Sequence, residues 1–237
     1  MSDHPGPYAL THAAVMDWLT RFAATVRSVE PELTSLDQQA GDGDFGANLT
    51  TGMDGVRRAL DALAAERTDA KNARNGQGGP DAPLAAAARV FLDDVGGTSG
   101  PLFGLLFQEL ADALRMAAPT PPGTAALATG TAAGAAAIQR VGEAEVGDKT
   151  MVDALVPAAH ALAACDPATD PAHALHLAAV AAYRGARSTT GLRARRGRAS
   201  YTGDHARGVP DPGALAVALL FASAEDELTA LSRLPQS

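Results

Sequence analysis

The 237 residues include a single cysteine, Cys165. No internal disulfide can form, and the chain suits a reducing cytoplasm. Cys165 lies just before Asp166-Pro167, where it reads as a small apolar filler near a helix end. Aromatic residues are scarce, at 4%. No stretch alternates apolar and polar residues with the period of two that a half-buried strand requires. Both features count against a sheet protein. Basic residues are outnumbered, with 19 Lys and Arg against 27 Asp and Glu and a net charge of -8. That balance excludes a protein that grips nucleic acid through a broad basic face. The local exception is Arg193, Arg195, Arg196 and Arg198. Long apolar runs are missing too. The blandest stretch, "GTAALATGTAAGAAAI" from Gly123 to Ile138, is too short and too weakly apolar to span a bilayer, and reads as a closely packed helix. The first ten residues lack the positive start and apolar run of a targeting segment. What remains is 46% hydrophobic and 19% charged, the balance of a soluble globular chain with a core of ordinary size.

The period that is present is helical. Val15, Trp18, Phe22, Val26 and Val29 recur at steps of three and four, as do Leu49, Met53, Val56, Leu60 and Leu63. Similar faces run through Leu84–Val95, Leu102–Leu114, Met151–Leu162, Leu175–Tyr183 and Leu215–Leu231. Asp170-Pro171 and Asp211-Pro212 each set an N-cap residue before a proline at the first helical position. Pro31 is expected to open a short helix in the same way. Breaks fall at Gly41–Gly46, Arg67–Asp81, Gly96–Gly100, Ala118–Gly123, Gly142–Asp148 and Gly191–Asp211, and none resembles a boundary between separate cores. The expected fold is all-α: one domain over residues 1–237, with about eight antiparallel amphipathic helices in up-and-down order. In that order every second loop shares an end. The first acidic loop, Gly96–Gly100, Gly147–Asp148 and Gly191–Asp211 are then expected at one end. Arg67–Asp81 and Ala118–Gly123 fall at the other.

The loops of the first group carry the chemistry. "LDQQAGDGDFGANLTTGM", Leu36 to Met53, holds Asp37, Asp42 and Asp44 in a glycine-rich break. Three carboxylates so close repel one another unless a proton or a cation intervenes. Mg²⁺ takes such oxygen ligands together with waters and phosphates. The spacing also fits a solvated acidic turn that caps a helix. "VGGTSGPLFG", Val95 to Gly104, is a glycine loop entering a helix with Ser99 as a plausible N-cap. It reads either as a phosphate cradle or as an ordinary helix–helix turn. In "GDKTM", Gly147 to Met151, Asp148 can cap a helix and Thr150 can offer a hydroxyl. Lys149 near a helix start is unfavourable unless an anion is close. "RRGRASYTGDHARGVPDPGA", Arg195 to Ala214, is long and basic, in the manner of a lid. Its Arg198 suits either a phosphate or solvent. His205 is read as exposed, with no role as a base.

These four pieces, in this order and at this spacing across nearly the whole chain, resemble the L subunit of dihydroxyacetone kinase, the nucleotide-binding DhaL or Dak2 family. The resemblance implies an eight-helix antiparallel barrel with a nucleotide at one end. It implies that Asp37, Asp42 and Asp44 hold two Mg²⁺ ions against the phosphates of ADP or ATP. Asn48, Thr98, Ser99, Thr150, Met151, Arg198 and Asp211 fall where such proteins line the nucleotide pocket, Arg198 as a phosphate stabiliser. The implied activity moves the γ-phosphoryl of ATP to dihydroxyacetone or a related small ketose or polyol held by a separate K subunit. In the phosphotransferase-linked version, bound ADP is recharged by an M-type phospho-histidine protein. No nucleic acid and no membrane enter this scheme, and its setting is the cytoplasm. One position departs. Where such proteins usually carry His, Thr or Cys after the second Asp of the D-x-D pair, this chain has Phe45. That bears on donor, turnover and acceptor more than on metal and nucleotide. Two further readings stand beside the first: an ADP-Mg-holding adaptor or regulator with weak or no transfer, and a related kinase with another acceptor, such as an acyl group on a carrier protein.

Overall fold

A computed structural model of the chain describes residues 9–68, 78–118, 120–197, 200 and 206–236. Among them are eight α-helices and no strand: α1 His12–Ala40, α2 Phe45–Thr68, α3 Ala82–Asp93, α4 Ser99–Met116, α5 Thr124–Gly142, α6 Val152–Ala163, α7 Pro171–Ser188 and α8 Pro212–Ala222. The all-α class and the helix number agree with the apolar periodicity. Each helix packs on its successor in the chain, and α8 packs on α1 and α6 as well as on α7. No helix among the described residues is long and apolar enough to cross a membrane.

Helix α1 is longer than its sequence suggests. Pro31 does not open a new helix; it lies inside one that runs unbroken for 29 residues. An interior proline costs about 3 kcal/mol. Val26, Val29 and Leu33 are fully buried around it, and such side chains contribute about 1.5–3 kcal/mol each. Burial outweighs the lost hydrogen bond, so the helix continues. At 1.5 Å per residue α1 spans roughly 43 Å, and it orders the loops. At its start, the Leu10 N–H donates to Pro122 O (2.8 Å) and His12 Nδ1 lies 3.0 Å from Gly79 O. The plain loops therefore sit there. At its finish stand Asp37 and Ala40, with Ala194 and Ala206 packed on Ala40. The separation of plain from chemically loaded loops is thus seen in the described residues.

The last helix corrects the expectation for Leu215–Leu231. Helix α8 ends at Ala222, and all of its residues except Gly213 are buried. It is a core helix without an exposed face, not an amphipathic one. Its end is set by α1. Trp18 Nε1–H donates to Leu220 O (2.7 Å), and the Arg21 guanidinium donates to Ser223 O (2.9 Å) and Ala224 O (2.5 Å). These donors meet the carbonyls that a helix leaves unpaired at its C-terminus. Buried Thr25 Oγ1 then accepts the Leu228 N–H (2.9 Å) and turns the chain away.

Small residues set the helix spacing. Phe91 of α3 meets Phe103 and Phe107 of α4, with ring centroids 5.4 to 6.2 Å apart within the trio. Many other buried positions are alanine or glycine. A Cβ on Gly130 of α5 would lie 2.8 Å from Leu110 Cα of α4, so the bland alanine-rich stretch is the closely packed helix expected. The tightest approach joins α7 to α6: a Cβ on Gly185 would lie 2.1 Å from Asp153 O and 3.1 Å from Ala154 Cα. Both opposing atoms are backbone, so a side chain at 185 forces the helices apart. Gly185→Ala should lower stability by about 1–3 kcal/mol, the usual cost of overpacking. Gly191→Ala, with nothing within 4 Å of the new methyl, should change it by less than about 0.5 kcal/mol. Urea unfolding of the two variants checks the contrast.

Candidate functional site

The acidic turn is assembled by the end of α1 and the start of α2. Gly41 closes α1 through its N–H to Asp37 O (2.5 Å), and the chain reverses through Gly43 at φ +79°. Asp44 O accepts the Asn48 N–H (2.9 Å), which begins α2. Asp37 Oδ2 accepts the Phe45 N–H (3.0 Å), so a carboxylate of α1 fixes the entry to α2. Gly46 permits the crossing, since a Cβ there would lie 2.8 Å from Glu30 O. The outcome is one carboxylate oxygen from each of Asp37, Asp42 and Asp44, all within 4.8 Å of one another. No basic residue occupies the last turn of α1, where the helix dipole already concentrates negative charge. Oxygen donors of this kind and number suit a hard divalent cation.

Beside the turn lies a cavity of about 190 Å³. Its walls come from the acidic turn, Gly97–Ser99, Lys149–Val152, Arg196–Gly197 and Asp211–Gly213, with Leu102, Ile138 and Ala144 adding apolar surface. Four helix starts meet it, that of α2 at Phe45 and those of α4, α6 and α8, and they differ. Asp211 caps α8 by accepting the Ala214 N–H (2.7 Å). Asp153 serves the start of α6, accepting N–H groups from Gly147 (2.6 Å) and Thr150 (2.8 Å), while Thr150 Oγ1 accepts from Val152 (3.1 Å). At α4, Ser99 is the first helical residue rather than the cap; Thr98 holds that position and makes no side-chain cap bond. Its leading N–H groups stand beside the cavity without a capping side chain. Asp148 does not cap α6 either. It accepts the Glu145 N–H (3.0 Å) and lies 3.5 Å from the Arg195 guanidinium and 3.6 Å from that of Arg196.

Lys149 is the unexpected member. Its backbone is left-handed at φ +62°, and its side chain is 2% exposed. Nζ donates to Thr189 O (2.7 Å) and Val209 O (2.6 Å). Burial draws it below the ordinary lysine range, against attraction from Asp211 and Asp153. Burial also pushes the Asp211 carboxyl up to about 7, opposed by the Ala214 N–H and the Lys149 ammonium and assisted by Asp153 and Asp37.

Of the residues expected to form the site, Asp37, Asp42, Asp44, Thr98, Ser99, Thr150, Met151 and Asp211 line this one cavity. Asn48 does not line it; its Nδ2 sits 3.5 Å from where a Cβ on Gly97 would be, at the edge of the same loop. Arg198 and His205 lie outside the described residues. Sequence reasoning named Lys149 as a misfit but gave it no place, and Asp153 escaped it entirely. The signal for Lys149 was present as a cation at a helix start. Asp153, inside the apolar pattern of α6, gave none.

Known proteins resemble the chain in sequence and in fold. The family described as DAK2 domain matches residues 39–226. The ADP-binding DhaL subunit of PEP-dependent dihydroxyacetone kinase 2 from Listeria innocua is 35% identical, with 82% of this chain and 85% of that protein covered. L-erythrulose 1-kinase from Mycolicibacterium smegmatis is 37% identical over 89% of this chain, which spans 35% of its length. A crystal structure of the dihydroxyacetone kinase from C. freundii with AMP-PNP and Mg²⁺ is 27% identical, with a TM-score of 0.61, covering 95% of this chain and 36% of that one.

The raised Asp211 value has a sign that can be tested. Between the ordinary carboxylate value and about 7, the folded protein keeps a proton that the unfolded chain has lost. Stability contributed by this group therefore falls as pH rises through that window and is flat above it. In chelator, wild type should lose stability relative to Asp211→Asn between pH 5 and 7, with the difference constant from pH 7.5 upward. Thermal unfolding of both proteins across this range measures it.

Proposed function

Because the chain belongs to the DAK2 domain family, we propose that it is the Mg-nucleotide-binding subunit of a dihydroxyacetone kinase-like phosphotransferase. The observation that carries this reading is the carboxylate triad, three oxygens within 4.8 Å at the rim of a cavity lined by the other motif loops. Relatives named as ADP-binding subunits, and a similar structure holding AMP-PNP and Mg²⁺, support it.

Asp37, Asp42 and Asp44 would hold the metal, one ion or two, with the Phe45 N–H keeping Asp37 aimed. When bound, Mg²⁺ neutralises charge on the phosphate oxygens. The start of α4, where no side chain caps the helix, would receive a phosphate group; at α2 the Phe45 N–H goes to Asp37, at α6 the Val152 N–H goes to Thr150 Oγ1, and at α8 the Ala214 N–H goes to Asp211. A helix start with free N–H groups and its dipole favours an anion. Leu102, Ile138, Met151 and Pro212 supply apolar surface suited to a base. Asn48 at the loop edge and Arg198 complete the proposed nucleotide set. The acceptor would be a small ketose; one relative is named for dihydroxyacetone and another for L-erythrulose. It would be presented by a K-type partner over the cavity mouth. The donor would be ATP, or a phosphotransferase protein of the kind a PEP-dependent relative implies. Positioning and charge stabilisation do most of the work in such transfers.

Phe45 favours a second reading, an adaptor that holds Mg-ADP without efficient transfer. The ring is 8% exposed and lines the cavity beside the triad. Its contact with Asp37 is made by the backbone, so the substitution leaves the carboxylate geometry intact while removing any polar side chain from that place. Assay of phosphoryl transfer with a K-type subunit and dihydroxyacetone separates the two. Transfer supports the kinase; bound ADP without transfer to any hydroxyketone leaves the adaptor. For the metal assignment, Asp42→Asn should reduce Mg²⁺-dependent ADP affinity at least about tenfold with unchanged far-UV circular dichroism, Asp42 being exposed. Equal affinity by calorimetry would show the triad is not the metal site.

A further inference from the structure

We propose that Lys149 is a positioning residue, tying the entry of α6 to the entry of α8 so that the two cavity walls they form receive the nucleotide at a fixed separation. The inference rests on the nucleotide reading above.

Two unfavourable features coincide at this residue. A non-glycine residue in the left-handed region is uncommon and strained, and Lys149 adopts φ +62°. A lysine is rarely fully buried unless paired, and Lys149 is 2% exposed. The left-handed turn is what directs the side chain inward, after Gly147 at φ +102°. Its ammonium then reaches carbonyl oxygens of two other segments. Thr189 O belongs to the residue that ends α7, where free carbonyls and the dipole favour a cation. Val209 O belongs to the segment that leads into Asp211 and α8.

Thr189 is already the hub of that corner. Its Oγ1 accepts the Asp211 N–H (2.7 Å), and the Gly208 N–H donates to neighbouring Thr190 O (2.9 Å). These bonds join the end of α7 to the entry of α8. Lys149 adds the entry of α6. The two walls meet where a Cβ on Gly213 would lie 3.6 Å from Met151 Cβ. Thr150, Met151, Asp211 and Gly213 all face the cavity. Neither of these two hydrogen bonds involves the carboxylate triad of α1 and α2. Loss of the ammonium should therefore loosen the nucleotide walls and spare the metal ligands.

Lys149→Met keeps the volume without donors, and Lys149→Arg restores donors. ADP binding in saturating Mg²⁺ should weaken at least about tenfold in Lys149→Met, the effect of losing charge-assisted hydrogen bonds. It should stay within about threefold of wild type in Lys149→Arg. Mn²⁺ alone, followed by electron paramagnetic resonance, should bind all three proteins within about twofold. Hydrogen exchange should quicken at amides 189–192 and 206–214 of Lys149→Met only. An ADP affinity within about twofold of wild type in Lys149→Met overturns the inference. So does a matching loss of Mn²⁺ affinity with faster exchange throughout the core, which would make Lys149 a general element of stability. If Lys149→Met does not fold, Lys149→Arg binding ADP no better than about tenfold below wild type would equally overturn it. Failure of wild type itself to bind Mg-ADP would instead sink the nucleotide reading, a distinct result.

Discussion

Mutual repulsion of three carboxylates at the C-terminal end of α1 is the constraint around which the rest of the molecule is arranged. Their oxygens lie within 4.8 Å of one another, where like charges repel, and the helix dipole adds to the penalty. A fold with only a few kcal/mol in reserve does not gather such charge by accident. The acidic turn keeps its shape because everything beneath it is anchored elsewhere. Helix α1 is driven through Pro31 by buried Val26, Val29 and Leu33. Its first half is locked to the end of α8 by Trp18, Arg21 and Thr25. The fully buried α8 then begins at Asp211, on the far wall of the cavity. One long helix and one core helix thus connect the triad to the opposite wall through rigid packing.

Small residues make that connection tight. Gly185 brings α7 against the first turn of α6 so closely that no Cβ fits over Asp153 O. The same Asp153 holds the N–H groups of Gly147 and Thr150, which shape the loop carrying Lys149. Beside its few buried aromatics and its leucines, the chain gains from helices that approach closely and from dense alanine contacts. Here that packing also sets the position of a cavity wall.

The helices were legible because their apolar faces repeat at three and four, a signal independent of neighbours. The common end of the loaded loops was legible from helix alternation, and most of the proposed cavity residues from motif and resemblance. What escaped depended on long-range contact. Pro31 reads as a start because local rules make it one, whereas its helix continues for the sake of core burial. Leu215–Leu231 reads as one helix because leucine continues to recur; the end at Ala222 is imposed by Arg21, some two hundred residues away. Ser99 and Asp148 have cap-like chemistry, but Asp148 is engaged by Glu145, Arg195 and Arg196, and α4 begins one residue earlier than a Ser99 cap requires.

The acidic residues at this end of the molecule divide by what holds them. Asp153 is 2% exposed and Asp148 7% exposed. Each is committed to backbone N–H groups, and Asp148 also to arginines; their charge is used up in shaping loops. Asp211 is half committed: it caps α8 while burial and nearby carboxylates hold its proton near neutrality. Asp37 gives one oxygen to the Phe45 N–H, and with Asp42 and Asp44 it brings three carboxylates together at the cavity rim. The acidic residues thus fall into two sets: Asp148 and Asp153, which shape loops without lining the cavity, and the triad and Asp211, which line it. Phe45 stands at the boundary, contributing its backbone to the first kind of work and an apolar ring to the second. An apolar side chain there leaves the carboxylates in register, since only the Phe45 backbone bonds Asp37, and makes the adjoining surface drier.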